Sequence, residues 1–334
     1  MCATRLRYAP PKIEGTYHDH FGLSTPYLRS GTRMPEPVRK KAMFPPPVPK
    51  TACLGVSAPA GMPAPEPLKA GLTVLSARTG RRVIPEIPGP VWPPHLAGLE
   101  SARADVLNRM LADPDIGGVI CARGGFGSLA ILPQINWTQL TAHPKLIMGF
   151  SDITALLNAL PDRAGVVGIH GPVVTQLGDA DDRTLASVTA ILDGDDMIQI
   201  PGLRVLRYGD CEGRLLGGNL ATFASMVGTP FFPDTEGAVL FFEDVGEPLY
   251  RIDRMLLQLM LAGGFDGIRG ILLGDFTDGA PVADVAQLFL LRTALLDVPL
   301  FSGLPVGHGT TNVCLPVGAR VFVCSEKRCL TCLP

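Results

Sequence analysis

From Ala52 onward, short apolar runs alternate with segments whose apolar residues recur at helical spacing. Cys53 to Ser57 is an apolar run closed by "APAG", and Leu68, Leu72 and Leu75 then share one helical face. "RRVIPEI" around Val83 reads as a second strand, and Ala104, Leu107 and Leu111 mark a second helix. "GGVICA" from Gly117 to Ala122 has the continuous apolar character of a strand buried on both faces. "KLIMGF", Lys145 to Phe150, is another such run, followed by a helix over Ser151 to Leu160 and a strand ending at Ile169. This alternation predicts βαβ units and an α/β domain with a largely parallel sheet over residues 51–172.

Residues 173–212 hold one helix-like stretch among Asp/Gly pairs, the pattern of a connection between domains. A second α/β domain is expected over 213–334. Its elements are a helix in "GGNLATFASMVG", a strand from Ala238 to Asp244, an amphipathic helix from Tyr250 to Leu261 and a strand ending at Phe276. Residues 1–50 differ from all of this: they carry nine prolines and nine Lys+Arg against three Asp+Glu, with no helix or strand period. They read as a disordered basic tail, and the triplet His18, Asp19, His20 as solvated loop, because such a segment supplies no outer shell to orient metal ligands.

Composition narrows the function classes. The chain has 334 residues, 46% hydrophobic and 18% charged, a formal net charge of -2 and a sequence pI near 6.3. Those values belong to soluble globular proteins and give no global field for a phosphate backbone, so a small substrate is expected rather than nucleic acid. No apolar run reaches membrane-spanning length and no signal-peptide pattern opens the chain, so the sequence reads as cytoplasmic and free of membrane. Eight cysteines at irregular spacing make no disulfide framework. Cys324, Cys329 and Cys332, with Cys314 upstream, would be half of a zinc site at most, since no matching pair accompanies them.

In an open α/β sheet ligands sit beyond the carboxyl ends of the strands, so polar residues there are candidates for chemistry. Ser151 lies where a strand passes into a helix, a place for a nucleophile or for a helix N-cap. Ile153 stands where the Gly-x-Ser-x-Gly elbow has its second glycine. Gly124, Gly125 and Gly127 in "RGGFGS" suit a phosphate cradle, an oxyanion hole or a structural turn. Glu243 closes an apolar strand, where an acid needs a partner such as Arg251 or Arg254. His308 sits between glycines in a loop with nothing evident to hide its ring. Together Ser151, His308 and Glu243 make a possible nucleophile, base and orienting carboxylate. Cys121 is a rival nucleophile and His170 a rival base, while His95 and His143 have no neighbour that suggests a site.

The segments "ARGGFGSLAILPQI", "KLIMGFSDITALLNAL", "IHGPVV", "LLGGNLATFASMVGTPFFPDTEGAVLFFEDVGEPLYRIDRML" and "PVGHGTTNVCLPVGARV" resemble, in order, the signature blocks of the LD-carboxypeptidase family. These are bacterial serine peptidases (muramoyltetrapeptide carboxypeptidases), grouped with the microcin-immunity peptidases, and the resemblance covers residues 52–322. It implies two α/β domains with the site in the cleft between them, often a homodimer, and no metal or cofactor. It implies Ser151 as nucleophile, His308 as base, Glu243 as its carboxylate, and an oxyanion hole from the N–H of Asp152 and of Gly124 or Gly125. Phe126 stands where a tyrosine is common. Arg123 is the candidate cation for the carboxylate of the small peptide substrate, a muropeptide. The alternatives are an immunity-type hydrolase of acyl-adenylate antibiotics, for which 173–212 offers only Tyr208 as an aromatic platform, and a non-enzymatic nucleotide-binding module, which would leave Glu243 and His308 unexplained. "MFPPPVPKTACLGVSAPAG" from Met43 looks like a family N-terminus, so residues 1–42 are expected to be dispensable.

Overall fold

The apolar runs of the first half become parallel strands joined by helices in a computed structural model that describes residues 42–333. The stretch 1–41, with His18, Asp19 and His20, lies outside the described residues. The chain runs β1 (Cys53–Ser57), α1 (Pro65–Thr79), β2 (Val83–Glu86), α2 (Glu100–Ala112), β3 (Ile116–Cys121), α3 (Ser128–Ile131), α4 (Trp137–Ala142), β4 (Leu146–Gly149), α5 (Thr154–Ala164) and β5 (Gly168–His170). Local chemistry sets several of these limits. Pro65 opens α1, where a missing N–H costs nothing, and Gly80 ends it in the left-handed region at φ 67°.

Beyond β5 come α6 (Asp182–Asp193), β6 (Gln199–Pro201), β7 (Arg204–Arg207), β8 (Cys211–Asn219), α7 (Leu220–Ser225), β9 (Ala238–Val245), α8 (Leu249–Leu261), β10 (Gly270–Thr277), α9 (Val282–Arg292), β11 (Leu300–Ser302), β12 (Leu315–Val317), β13 (Arg320–Cys324) and β14 (Cys329–Cys332). The α8 stripe is the one its spacing predicts, with Ile252, Leu256 and Leu259 buried.

Two sheets result. The first has the order β12-β5-β4-β3-β1-β2, parallel except for β12, which pairs antiparallel with β5. The second has the order β6-β14-β13-β8-β9-β10-β11-β7, with a parallel centre from β8 to β11 and antiparallel flanks. Helix α5 is the wall between them: nearly every residue is buried, its apolar side facing β4 and β5 while Thr154 and Asn158 meet β8. Asn158 Nδ2 donates to Gly217 O at 2.7 Å and the Gly217 N–H returns a bond to Asn158 Oδ1 at 2.9 Å. A Cβ on Gly218 would lie 2.5 Å from Thr154 Oγ1, so this approach requires glycine.

Three expectations need correction. The proposed tail is already packed before residue 50. Met43 exchanges two backbone hydrogen bonds with Gly165 and Val167, and Val48 joins the apolar core. Its hydrophobic side chains, sparse as they are, find a ready-made groove beside β3 and α6. The segment 173–212 is not a free connection: Leu185, Val188 and Leu192 of α6 enter the core of the first sheet, while β6 and β7 close the two edges of the second. Within 213–334, β12 crosses back to pair with β5 of the first sheet. "GGNLATFASMVG" is likewise only part helix, its first three residues ending β8 and Asn219 capping α7 by accepting the Thr222 N–H at 3.0 Å. Among the described residues no helix is long and apolar enough to cross a membrane.

Candidate active site

Strand β4 ends at Gly149, where a Cβ would press on Cys121 and Ile153 at 3.0 Å. Phe150 is extended, and Ser151 then takes φ 60°, a left-handed conformation that costs a β-carbon residue about 1–2 kcal/mol. Phe150 and Ile153, not Ser151, stand at the cap positions of the turn at 151–153 and of α5, so the N-cap alternative is not the one the chain adopts. Ile153, in place of an elbow glycine, is buried in the core and does not prevent the strained turn.

The glycine loop after β3 abuts this turn. A Cβ on Gly124 would lie 2.7 Å from Ser151 Cβ and 3.0 Å from its Oγ, so the loop reaches the serine because position 124 has no side chain. Gly125 and Gly127 hold φ 99° and 118°. The loop is pinned from several sides. Gly61 N–H donates to Gly124 O at 2.9 Å, and buried Arg103 donates to Gly127 O at 2.8 Å and Gly98 O at 3.1 Å. The Asp152 carboxylate accepts the Ser128 N–H at 2.7 Å, and burial raises its pKa against these hydrogen bonds. Arg103 and Ser128 escaped the sequence reading because neither lies at a strand end. Arg123 is exposed, and its Nη1 donates to Met62 O at 2.6 Å, tying the loop to the segment after β1.

From the second sheet, Glu243 on β9 is fully buried and its Oε2 lies 2.7 Å from His308 Nδ1. A carboxylate facing Nδ1 keeps the proton there and leaves Nε2 as the basic atom. Gly307 makes the approach possible: at φ 125° it sits where a Cβ would be 2.9 Å from Glu243 Oε2. The His308 ring is 4.7 Å from the Phe150 ring, between centroids, which brings the imidazole beside the residue preceding Ser151. The loop therefore does hide the ring, whose side chain is 19% exposed. Burial lowers the His308 pKa, but the hydrogen bond and charge of Glu243, with Asp244 and Asp275, outweigh it and leave the ring above its ordinary value. The arginine partners considered for Glu243 are engaged elsewhere, Arg251 with Glu247 at 2.9 Å and Arg254 over the Tyr250 ring. Asp244, next in the strand, accepts from Asn219 Nδ2 at 2.8 Å and the Ala221 N–H at 3.0 Å, and burial pushes it up to about 6.

The rival groups are placed differently. Cys121 is fully buried and burial pushes its thiol up to about 12. His170 is fully buried between the Phe150 and Phe241 rings, and burial together with the charge of His308 takes it down to about 3. His95 is exposed and meets the exposed Phe126 ring edge-on, and His143 is exposed. Cys324 and Cys329 oppose each other in the β13–β14 ladder, well apart in the chain from Cys314 beside β12. Among the described residues no group of three or more His, Cys, Asp or Glu is placed to hold a metal ion.

His308 also borders an open cavity of about 490 Å³. Its lining is polar and includes Gln176, Asp179, Thr277, Asp278 and Asn312, with no aromatic ring besides the His308 imidazole.

A largely parallel sheet, a second mixed sheet and a buried Glu–His pair packed on the residue before a left-handed serine frame the candidate site, and the relatives of the chain make it an α/β hydrolase of the serine carboxypeptidase class. The chain belongs to the LD-carboxypeptidase family: the family model for the LD-carboxypeptidase N-terminal domain matches residues 54–171 and that for the C-terminal domain matches residues 212–323. The chain is 40% identical to the murein tetrapeptide carboxypeptidase of Pseudomonas aeruginosa over 67% of its length and 78% of that protein. It is similar to the crystal structure of muramoyltetrapeptide carboxypeptidase from Oxalobacter formigenes, with a TM-score of 0.76 and 29% identity, covering 84% of this chain and 98% of that one. The microcin C7 self-immunity protein MccF of Escherichia coli is 27% identical over 68% of this chain and 76% of that protein.

Proposed function

We propose that this protein is a serine LD-carboxypeptidase that releases the terminal D-alanine of cell-wall tetrapeptides in peptidoglycan recycling. The observation that carries the reading is the 2.7 Å contact of buried Glu243 with His308 Nδ1, in a ring packed against the residue before a strained serine. In this reading His308 Nε2 takes the Ser151 hydroxyl proton as Oγ attacks the carbonyl of the diamino acid's L-centre. Glu243 orients the imidazole and favours its cation. The N–H of Asp152, with that of Gly124 or Gly125, stabilises the oxyanion. His308 then returns the proton to the leaving amine as the carbon–nitrogen bond breaks, and water hydrolyses the acyl-enzyme by the same route. Arg123 is the cation proposed for the substrate's terminal carboxylate. The same reading includes action in the cytoplasm and a homodimer, which cell fractionation and light scattering would check.

The likeness to MccF keeps a second reading, hydrolysis of an aminoacyl-adenylate antibiotic. The cavity beside His308 supports the peptide instead, because apart from the His308 imidazole it offers no ring on which adenine could stack. Mass spectrometry of products from a tetrapeptide bearing D-alanine should show D-alanine release, with a higher specificity constant than for an aminoacyl sulfamoyl adenylate. Ser151→Ala should lower turnover at least a thousandfold with the fold intact. Near-full activity in Ser151→Ala would overturn the serine mechanism, and the opposite substrate ranking would overturn the peptide assignment.

A further inference from the structure

His308 is carried by a loop that leaves β11 and returns at β12, so its position depends on what holds Gly307 and Gly309 on either side. Asn312 holds one flank, its Oδ1 accepting the Gly307 N–H at 3.1 Å. The other flank is held from β10. The Gly309 N–H donates to the Asp275 carboxylate, and a Cβ on Gly309 would overlap Asp275 Oδ2. Asp275 is itself fixed, since its N–H donates to Val306 O at 2.9 Å and the preceding Gly274 packs on both Val306 and Glu243. A Cβ at 274 would lie 2.7 Å from Val306 O and 3.2 Å from Glu243 Cβ. The loop is thus clamped to the strand neighbouring the one that carries Glu243.

We propose that Asp275 is a positioning residue for His308: its carboxylate anchors the Gly309 N–H so that the ring stays on Glu243, and its charge adds to that of Glu243 in favouring the imidazolium. The inference rests on the serine hydrolase reading of the site. The ionisable groups whose charge acts on His308 are Glu243 and Asp244 from β9, Asp275 from β10 and His170 from β5, while Asp179 and Asp278 line the cavity that the ring borders. The three strand carboxylates act in one direction. His170, held neutral by burial and by the charge of His308, supplies no competing cation at working pH. Asp275 is half-buried; burial, and then the nearby Glu243, push its own pKa up, and the Gly309 N–H and His308 oppose that rise.

The arrangement separates two contributions by substitution. Asn at 275 keeps an oxygen for the Gly309 N–H and loses the charge, whereas Ala loses both. A fluorophosphonate probe reads the site without assuming the natural substrate, because serine oxygen bonds to phosphorus, fluoride leaves and the base takes the hydroxyl proton. The second-order labelling rate of Ser151 is measured from pH 5 to 9 for the full chain and for Asp275→Asn and Asp275→Ala, with Ser151→Ala as the blank and melting temperatures as the folding control. Removing a negative charge near an imidazole lowers its pKa, so the acid limb of Asp275→Asn should move to lower pH by about half to one unit. At the high-pH plateau its rate should stay within about threefold of wild type, and Asp275→Ala should lose about tenfold or more. An acid limb unmoved in a folded Asp275→Asn overturns the electrostatic part, and an undiminished plateau in Asp275→Ala overturns the anchoring part. Absence of labelling at Ser151 in the wild-type chain overturns the serine reading itself, a result separate from both.

Discussion

Replacing Glu243 by glutamine removes one charge and almost no volume from a fully buried position. Its carbonyl oxygen can stand where Oε2 now accepts from His308 Nδ1 at 2.7 Å, so the ring keeps a hydrogen bond but loses its counter-ion. At an effective dielectric near 20, two unit charges at that distance attract by ~6 kcal/mol, which sets the scale of what the carboxylate gives the imidazolium. Allowing for the hydrogen bond that remains, a loss of about 4 kcal/mol of transition-state stabilisation is expected, or a thousandfold in kcat. Folding should respond differently. Glu243 Oε1 has no hydrogen-bond partner, so the amide nitrogen that replaces it costs about 1–3 kcal/mol as an unsatisfied donor. Relief from burying a charge opposes that cost. The melting temperature should therefore move by only a few degrees while kcat collapses. The assay is D-alanine release under saturating tetrapeptide, paired with thermal unfolding of the same samples. A kcat within tenfold of wild type in a folded Glu243→Gln variant would refute the electrostatic argument, as would a loss of activity that merely follows a loss of fold.

Gly124→Ala should lower kcat at least a hundredfold while leaving the melting temperature within a few degrees, because its Cβ would meet Ser151 Cβ at 2.7 Å and push the loop from the proposed nucleophile rather than open the core; unchanged turnover would show that the loop takes no part. His170 has its pKa lowered from 6.5 to about 3, so the folded state resists a proton that the unfolded chain accepts. The stability it contributes is present above pH 6.5 and is lost as pH falls toward 3, by about 2 kcal/mol between pH 7 and 5. Urea unfolding at those two pH values should therefore show a flatter dependence for His170→Met than for wild type, and equal slopes would contradict this account.

How much of this was legible before folding depends on whether the physics is local. Runs such as "GGVIC", "LIMG" and "AVLFF" name their strands because both faces of a central parallel strand are buried, so no polar residue interrupts them. The α8 stripe and the glycine-rich turns were equally readable, because spacing and freedom of φ belong to the residues themselves. Strand β8 was not readable. "CEGRLLGGN" carries an exposed Glu212 and a half-buried Arg214 near its start and, before its last residue, two glycines that only make sense against Thr154 and Asn158 of a helix some sixty residues earlier. The edge strands β6, β7 and β12 are three or four residues each and exist only through their pairing, which no local pattern encodes.

The same division runs through the site. Ser151, Glu243 and His308 could be picked out singly as polar residues at strand ends, each with a structural alternative that taken alone is the more common one. What told the alternatives apart is tertiary. Ser151 holds its left-handed φ with Ile153 buried and Gly124 close against its side chain, and the pairing of Glu243 with His308 rather than an arginine follows from glycines at 307 and 309 that let one loop lie against two strands. Sequence determines which residues can bear strain or charge. The energy of close contact between distant segments decides which of them do.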